Sequence, residues 1–146
     1  MADDITVLSI QDIQEKVSSA LDSISKRKVF TIYTQDTFLN STKNIDTPAI
    51  GIVYEGIAKK GQDTKDGLGS VLAVSVVLLV GDKDLEVNGQ EDKNLFINML
   101  GNFRRAIMGT RSPTGHKWGF VVELPLDISD RALCYYQRWE TSIILT

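Results

Sequence analysis

The side chains best suited to nucleophilic or acid–base chemistry are His116 and Cys134, since the sequence has one histidine and one cysteine. His116 lies in TRSPTGHK, whose glycine and proline indicate a loop, and there it could act as a general base. We interpret it as a solvated loop histidine. Cys134 lies in LCYYQRWETSIILT, an alternating strand pattern, and is interpreted as a small buried hydrophobic residue. A single histidine and a single cysteine give no zinc-ligand spacing.

Three further groups of residues could bind ions or phosphates. The acidic residues of DKDLEVNGQED, residues 82–92, lack the oxygen spacing of a calcium loop and are interpreted as a solvated acidic turn. The glycines of GIAKKG and GLGS lack a phosphate-loop signature. Arg104, Arg105, Arg111 and Lys117 form a modest basic group that could contact nucleic acid, although a solvated face or a protein contact is the favoured interpretation. The sequence therefore argues against an enzyme and predicts no metal and no cofactor.

Length and composition indicate one ordinary globular domain. The chain has 146 residues, a formal net charge of −3 and 42% hydrophobic residues, which is enough for a sizeable core. A single cysteine favours a reducing compartment. The first ten residues, MADDITVLSI, do not match a signal peptide, and the apolar run at residues 71–80 is shorter than the ~20 residues of a membrane helix.

Apolar spacing predicts two amphipathic helices. The first has Ser9 as N-cap, Asp12 in the capping-box position and a basic end at residues 26–28. The second runs from an Asp92 cap to about Met108, with Gly109 as its stop. The buried stripes are predicted to be Ile10, Ile13, Val17, Leu21 and Ile24 in the first helix, and Phe96, Met99, Leu100, Phe103 and Ile107 in the second.

Five strands are predicted, at residues 28–33, 48–57, 68–81, 118–124 and 133–145. The third strand is apolar on both faces, which is typical of a strand covered on both sides. Short connections between strands favour antiparallel pairing. The predicted fold class is α+β: a mainly antiparallel sheet with two helices packed on it, in the order helix, strand, strand, strand, helix, strand, strand.

Alternation divides the fifth strand into two faces. The first is mostly apolar and should face the core: Leu133, Tyr135, Gln137, Trp139, Thr141, Ile143 and Leu145. On the mixed face, Tyr136, Arg138 and Glu140 are typical of interface anchors, so we predict that they contact another subunit. The alternative is a half-solvated sheet face on which Arg138 and Glu140 pair with each other or with a cross-strand neighbour.

The segment KKGQDTKDG, residues 59–67, is predicted to be a charged turn. Its lysines and aspartates, among them Lys59, Lys60, Asp63 and Lys65, have no local chemical task. We predict a mobile hairpin tip in the free protein that becomes ordered against a neighbouring subunit in an assembly.

The order of an N-terminal amphipathic helix, the PAIGIVYEG strand, a charged turn, the long strand LGSVLAVSVVLLVG, a second helix and the strand RWETSIIL resembles one family in particular. This layout, over nearly the whole chain as a single domain at residues 1–146, is similar to the tail terminator, or tail completion, proteins of long-tailed bacteriophages. The resemblance lies in the layout and in no sharp motif.

The resemblance implies a structural virion protein of the tail and neck, assembled in the host cytoplasm. It implies a homo-oligomeric ring, a hexamer in that family, that stops growth of the tail tube and joins the tail to the head. Its partners would be the tail tube protein, with the sheath as a further candidate, and the head-completion or neck protein. Genomic DNA would pass through the lumen without specific binding. The alternatives are another phage neck, tube or baseplate component, and a small α+β ligand-binding domain or enzyme.

Overall fold

The computed structural model describes residues 2–20, 29–32, 49–64, 67–81, 90–126 and 132–145. These form two helices and five strands: α1 (Ala2–Ala20), β1 (Val29–Ile32), β2 (Ala49–Thr64), β3 (Gly67–Gly81), α2 (Gln90–Ile107), β4 (Gly119–Pro125) and β5 (Ala132–Leu145). The predicted order of elements and the α+β class are confirmed.

The strands form one sheet in the order β1-β2-β3-β5-β4. β1 pairs with β2 in parallel, and the other three pairings are antiparallel, so the prediction of a mainly antiparallel sheet is confirmed. β3 lies at the centre and pairs with β2 and β5 along nearly its whole length. The side chains from Leu72 to Leu79 are buried on both faces of the strand, which fits the absence of a charged residue from Val71 to Val80.

Both helices pack on the same face of the sheet. The apolar residues at Ile10, Ile13 and Val17 of α1 are buried there, as predicted. In α2, Met99, Leu100, Phe103 and Ile107 are buried, which confirms four of the five predicted residues, and the side chain of Phe96 lies outside what the structure describes. Phe103 lies in one core with Trp139 and Ile143 of β5. Each fully buried large apolar side chain contributes about 1.5–3 kcal/mol relative to an exposed one.

The predicted start of α1 is wrong. Ser9 is the eighth residue of a helix that begins at Ala2. Its buried hydroxyl donates a hydrogen bond to the Ile5 carbonyl at 2.7 Å. A serine inside a helix can bond to the carbonyl four residues earlier instead of capping an N-terminus. Asp12 is therefore not in a capping box. Leu21, Ile24 and the basic residues 26–28 lie outside the described residues.

The boundary of β2 also differs from the prediction. The strand continues through Lys59 and Lys60 to Thr64, and Asp63 pairs with Leu68. Most of the predicted charged turn is therefore strand, with a register shift between Lys59 and Asp63. Polar composition suggested a turn, but the backbone pairing with β3 determines the extended conformation. Lys65, at the tip that was predicted to be mobile, lies outside the described residues, so its mobility stays a prediction.

The α2 helix begins at Gln90 rather than after an Asp92 cap, and it ends at Ile107, just before the predicted stop at Gly109. Gly109 has φ +74, the left-handed conformation that terminates many helices. The following loop folds back on itself, because the Trp118 amide donates to the Thr110 carbonyl at 2.8 Å. This places the buried Trp118 ring immediately before β4. Of the described helices, neither has the length and hydropathy needed to cross a membrane.

Candidate protein–protein interface

The face of the sheet opposite to the helices, which we call the second face, carries three of the predicted interface residues. Alternation in β5 is confirmed, since Gln137, Trp139, Thr141 and Ile143 are buried toward the helices. Tyr136, Arg138 and Glu140 alternate with them, project from the second face and are half-buried.

Strand register arranges the second face in rows across the sheet. Paired residues of neighbouring strands lie on the same face, so each row can be followed from β2 to β4. Three rows surround the predicted residues: Ala58, Val71 and Ser142; Gly56, Ala73, Glu140 and Gly119; and Val53, Ser75, Arg138 and Val122. The first two rows consist largely of small residues.

These small residues form the floor of an open cavity of about 150 Å³, which we call the trough. Its lining comprises Glu55, Gly56, Ile57, Ala58, Val71, Ala73, Arg138 and Glu140. Gly56 lies at a register shift of β2 and has φ +108, a conformation that L side chains rarely adopt. The bulge therefore requires glycine at a position where the absence of a side chain also deepens the trough.

The trough is bordered by two carboxylates and one guanidinium. The Arg138 Nε lies 3.5 Å from Glu140 Oε1, with 39% and 24% of the two side chains exposed. This is a long contact through one nitrogen rather than a bidentate pair, and a partly exposed pair of this kind contributes only about 0.2–1 kcal/mol. The predicted alternative, in which Arg138 and Glu140 pair with each other, is therefore present in the structure.

Ser75 lies beside the trough, in the row between Val53 and Arg138. Its side chain is 1% exposed, and its Oγ has no hydrogen-bond partner. Buried hydroxyls are normally satisfied, so this atom marks an incompletely satisfied part of the second face.

Tyr136 has a different environment from Arg138. It packs against a small buried cluster of Val53, Val77, Leu79 and Cys134. Burial raises the pKa of the Cys134 thiol from 9.0 to about 12, so it is a neutral hydrophobic group at physiological pH, as interpreted from the sequence. The ring of Tyr136 therefore contributes to folding, and Arg138 and Glu140 are the residues that border the trough.

The residues predicted from KKGQDTKDG are not brought together with those of β5. Lys59 is exposed and pairs with Ser70, which pairs in turn with the core residue Ile143. Lys59 thus projects from the helix-bearing face. The backbones of Lys60 and Asp63 lie in β2, but their side chains and the whole of Lys65 lie outside what the structure describes.

β4 forms one edge of the described sheet and exposes apolar side chains. Phe120, Val121 and Leu124 are 39–46% exposed. The Phe120 and Trp139 rings meet edge to face with their centroids 5.4 Å apart, a contact that holds the Phe120 ring over the sheet. Natural proteins usually protect such edges with charge or proline, and here Pro125 protects only the end of the strand.

The predicted basic group is largely engaged within the chain. Arg104 pairs with Glu123, Arg105 bonds to the Asn102 side chain, and Arg111 donates to the Gly115 carbonyl at 2.6 Å. Lys117 is exposed. Contacts of three of the four cations with groups of the same chain fit the predicted solvated face or protein contact better than a nucleic-acid site.

His116 is exposed in the loop, as interpreted from the sequence. Within the described ranges, no three His, Cys, Asp or Glu side chains are grouped so that they could hold a metal ion. The Asp82, Asp84 and Glu86 part of the acidic turn lies outside those ranges.

Sequence reasoning missed the β2 and β3 walls of the trough. Glu55, Gly56, Ala58 and Ala73 carry no motif, and they meet Arg138 and Glu140 only through strand register. The glycine inside the predicted strand was the available signal, because such a glycine often marks a bulge or a close approach by another chain.

No protein-family model matches the chain, and a search of the curated proteins finds no significant match.

Proposed function

We propose that the chain is a structural protein of a long-tailed bacteriophage, a tail terminator that forms a ring at the head-proximal end of the tail tube. The proposal rests on the resemblance in layout, which is supported by the observed order of two helices and five strands.

The observation that carries the proposal is the exposed apolar edge of β4. A closed ring needs a heterologous interface, in which one surface of a subunit contacts a different surface of the next. Phe120, Val121 and Leu124 provide such a surface along one edge of the described sheet, with Phe120 on the helix-bearing face and Leu124 on the second face. An exposed apolar edge promotes aggregation of a monomer, and in an assembly it can form the contact between subunits.

Charge supports the same function. The chain has a net charge of −3, and Arg104, Arg105 and Arg111 are engaged by its own groups. Tight binding of DNA phosphates needs clustered free cations. A ring of such subunits would let DNA pass through its lumen without holding it.

Deletion of the gene from the genome that encodes it tests the proposal. A terminator stops tube growth, so electron micrographs of the deletion should show tails of variable and excessive length. Complementation with the wild-type gene should restore a single length. Uniform tails that fail to join heads would indicate another neck component and contradict the terminator assignment.

The joint at β4 can be tested on the same particles. Val121→Lys places a charge on the exposed edge without entering the core, and Gln11→Lys on the exposed face of α1 is the matched control. We expect the β4 variant to reproduce the overlong tails and the control to give normal ones. Normal tails from a folded Val121→Lys protein would remove β4 from the interface.

A further inference from the structure

We propose that the trough on the second face receives an arginine or lysine side chain from a protein segment that crosses the sheet. The floor of small residues admits a foreign side chain, and the bordering carboxylates match its charge. The proposal is independent of ring formation, since any protein partner with this chemistry would fit.

The size of the trough suits one side chain. Its volume is about 150 Å³, similar to cavities known to hold a single benzene-sized group. The row of Gly56, Ala73 and Gly119 is flat, with Glu140 as its only long side chain. A partner backbone can approach a glycine-rich strand more closely than an ordinary one.

Charge complementarity identifies the type of side chain. Glu55 and Glu140 both line the trough, whereas Arg138 is the one cation among its described lining residues. The recorded contact between Arg138 and Glu140 uses one carboxylate oxygen, and an ionised carboxylate can accept about four hydrogen bonds. Glu140 therefore has capacity for a second cationic partner.

An adjoining depression defines where that cation lies. This depression shares Val71 and Glu140 with the trough, and Lys117 lines it near Gly119 of β4. We therefore infer that the foreign cation lies between Glu55 and Glu140, away from Lys117. The unsatisfied hydroxyl of Ser75 in the next row is an independent sign that this part of the surface is incomplete in the isolated chain.

Nuclear magnetic resonance titration of the full-length chain tests the proposal with two capped pentapeptides. One has the sequence Gly-Ala-Arg-Ala-Gly, and the other has citrulline, a neutral isostere, in place of arginine. The arginine peptide at millimolar concentration should cause saturable shifts at the amides of Gly56, Ala73 and Glu140. The citrulline peptide should not. Equal binding of both peptides, shifts elsewhere in the chain, or no saturable shift would overturn the proposal.

Two variants and one control make the test specific. Glu140→Gln should weaken binding of the arginine peptide by about two- to fivefold, the value of a partly exposed ion pair. Ala58→Leu fills the trough from an exposed position and should abolish the shifts. Glu15→Gln, on the exposed face of α1, should change nothing. Equal affinities of Glu140→Gln and wild type would exclude Glu140 from the site.

Sedimentation of the full chain without peptide tests whether the partner is a second copy of the chain. Self-association that is lost in Glu140→Gln and retained in Glu15→Gln would support the proposal with a second copy as the partner. The titration needs neither ring nor tail, so its failure would leave the proposed function intact. Normal tails after gene deletion would equally leave the trough proposal standing.

Discussion

Replacement of Asp12 by alanine should destabilise the protein by more than its ion pair with Lys16 can explain. Asp12 Oδ2 accepts hydrogen bonds from Lys16 Nζ at 2.6 Å and from the Trp118 indole Nε1 at 2.8 Å. Trp118 is 1% exposed, so its indole N–H cannot turn to water when the carboxylate is removed. An unsatisfied buried donor costs about 1–3 kcal/mol. The partly exposed pair one helical turn apart adds only about 0.3–0.5 kcal/mol.

The expected loss is therefore about 1.3–3.5 kcal/mol in the free energy of unfolding, measured by urea denaturation and circular dichroism. Urea is preferred because guanidinium would screen the ion pair. Two variants separate the contributions. Asp12→Asn keeps an oxygen acceptor for the indole and loses the charge. Lys16→Met removes the cation and its exposed hydrogen bond to the Arg111 carbonyl at 3.2 Å, and it leaves the bond from Trp118 in place. Each should cost under about 1 kcal/mol.

Salt provides a further check on this reasoning. The contribution of the ion pair should fall in high salt, whereas the bond from Trp118 should not. If Asp12→Asn and Lys16→Met each cost as much as Asp12→Ala, the ion pair dominates and the reasoning is refuted.

Three other predictions concern the core. Phe103→Ala should cost about 3–5 kcal/mol in urea unfolding because the ring is fully buried, and a loss below about 1 kcal/mol would show that this face of α2 is misassigned. Ser75→Ala should be neutral or should stabilise the protein by up to about 1 kcal/mol. Thr141→Val should destabilise the protein, because it removes a hydrogen-bond partner that lies 2.9 Å from the buried Ser112 hydroxyl. The opposite ranking would contradict the assignment of Ser75 as unsatisfied. Between pH 9.0 and about 12, the unfolded state loses the Cys134 proton that the folded state retains, so stability should fall as pH rises. Burial also raises the pKa of Tyr54, which lowers stability at high pH in the same direction. Cys134→Ala should therefore remove only part of the fall in unfolding free energy with pH. An unchanged pH dependence in Cys134→Ala would exclude the thiol as a cause.

Apolar periodicity was sufficient to predict the elements whose residues face one core. The stripe of α2 and the alternation of β5 are examples, because burial of Phe103 and Trp139 on one side requires those periods. Ser9 was misread because serine bonds to backbone both at helix starts and within helices, and only the backbone itself distinguishes the two. The end of β2 was missed because its pairing with β3 overrides the polar composition of residues 59–64.

The candidate interface was likewise predictable from the sequence only in part. Alternation within one strand was enough to predict that Arg138 and Glu140 share a face. Their neighbours Gly56 and Ala73 belong to other strands, and a register shift at Tyr54 and Gly56 determines which residues meet them. One residue of error in that shift would exchange the two faces of β2, so the trough could not be derived from the sequence.

The position of β5 between β3 and β4 has a consequence for folding during synthesis. β2 and β3 are adjacent in the chain and can pair as soon as both have been synthesised, but one side of β3 must wait for β5, which follows α2 and β4. In that interval an uncharged, β-branched segment from Val71 to Val80 presents open backbone groups to any other chain. Pairing over such a sequence separation is slow. Synthesis conditions that delay β5, or truncations that remove it, should therefore lower the yield of folded protein through aggregation.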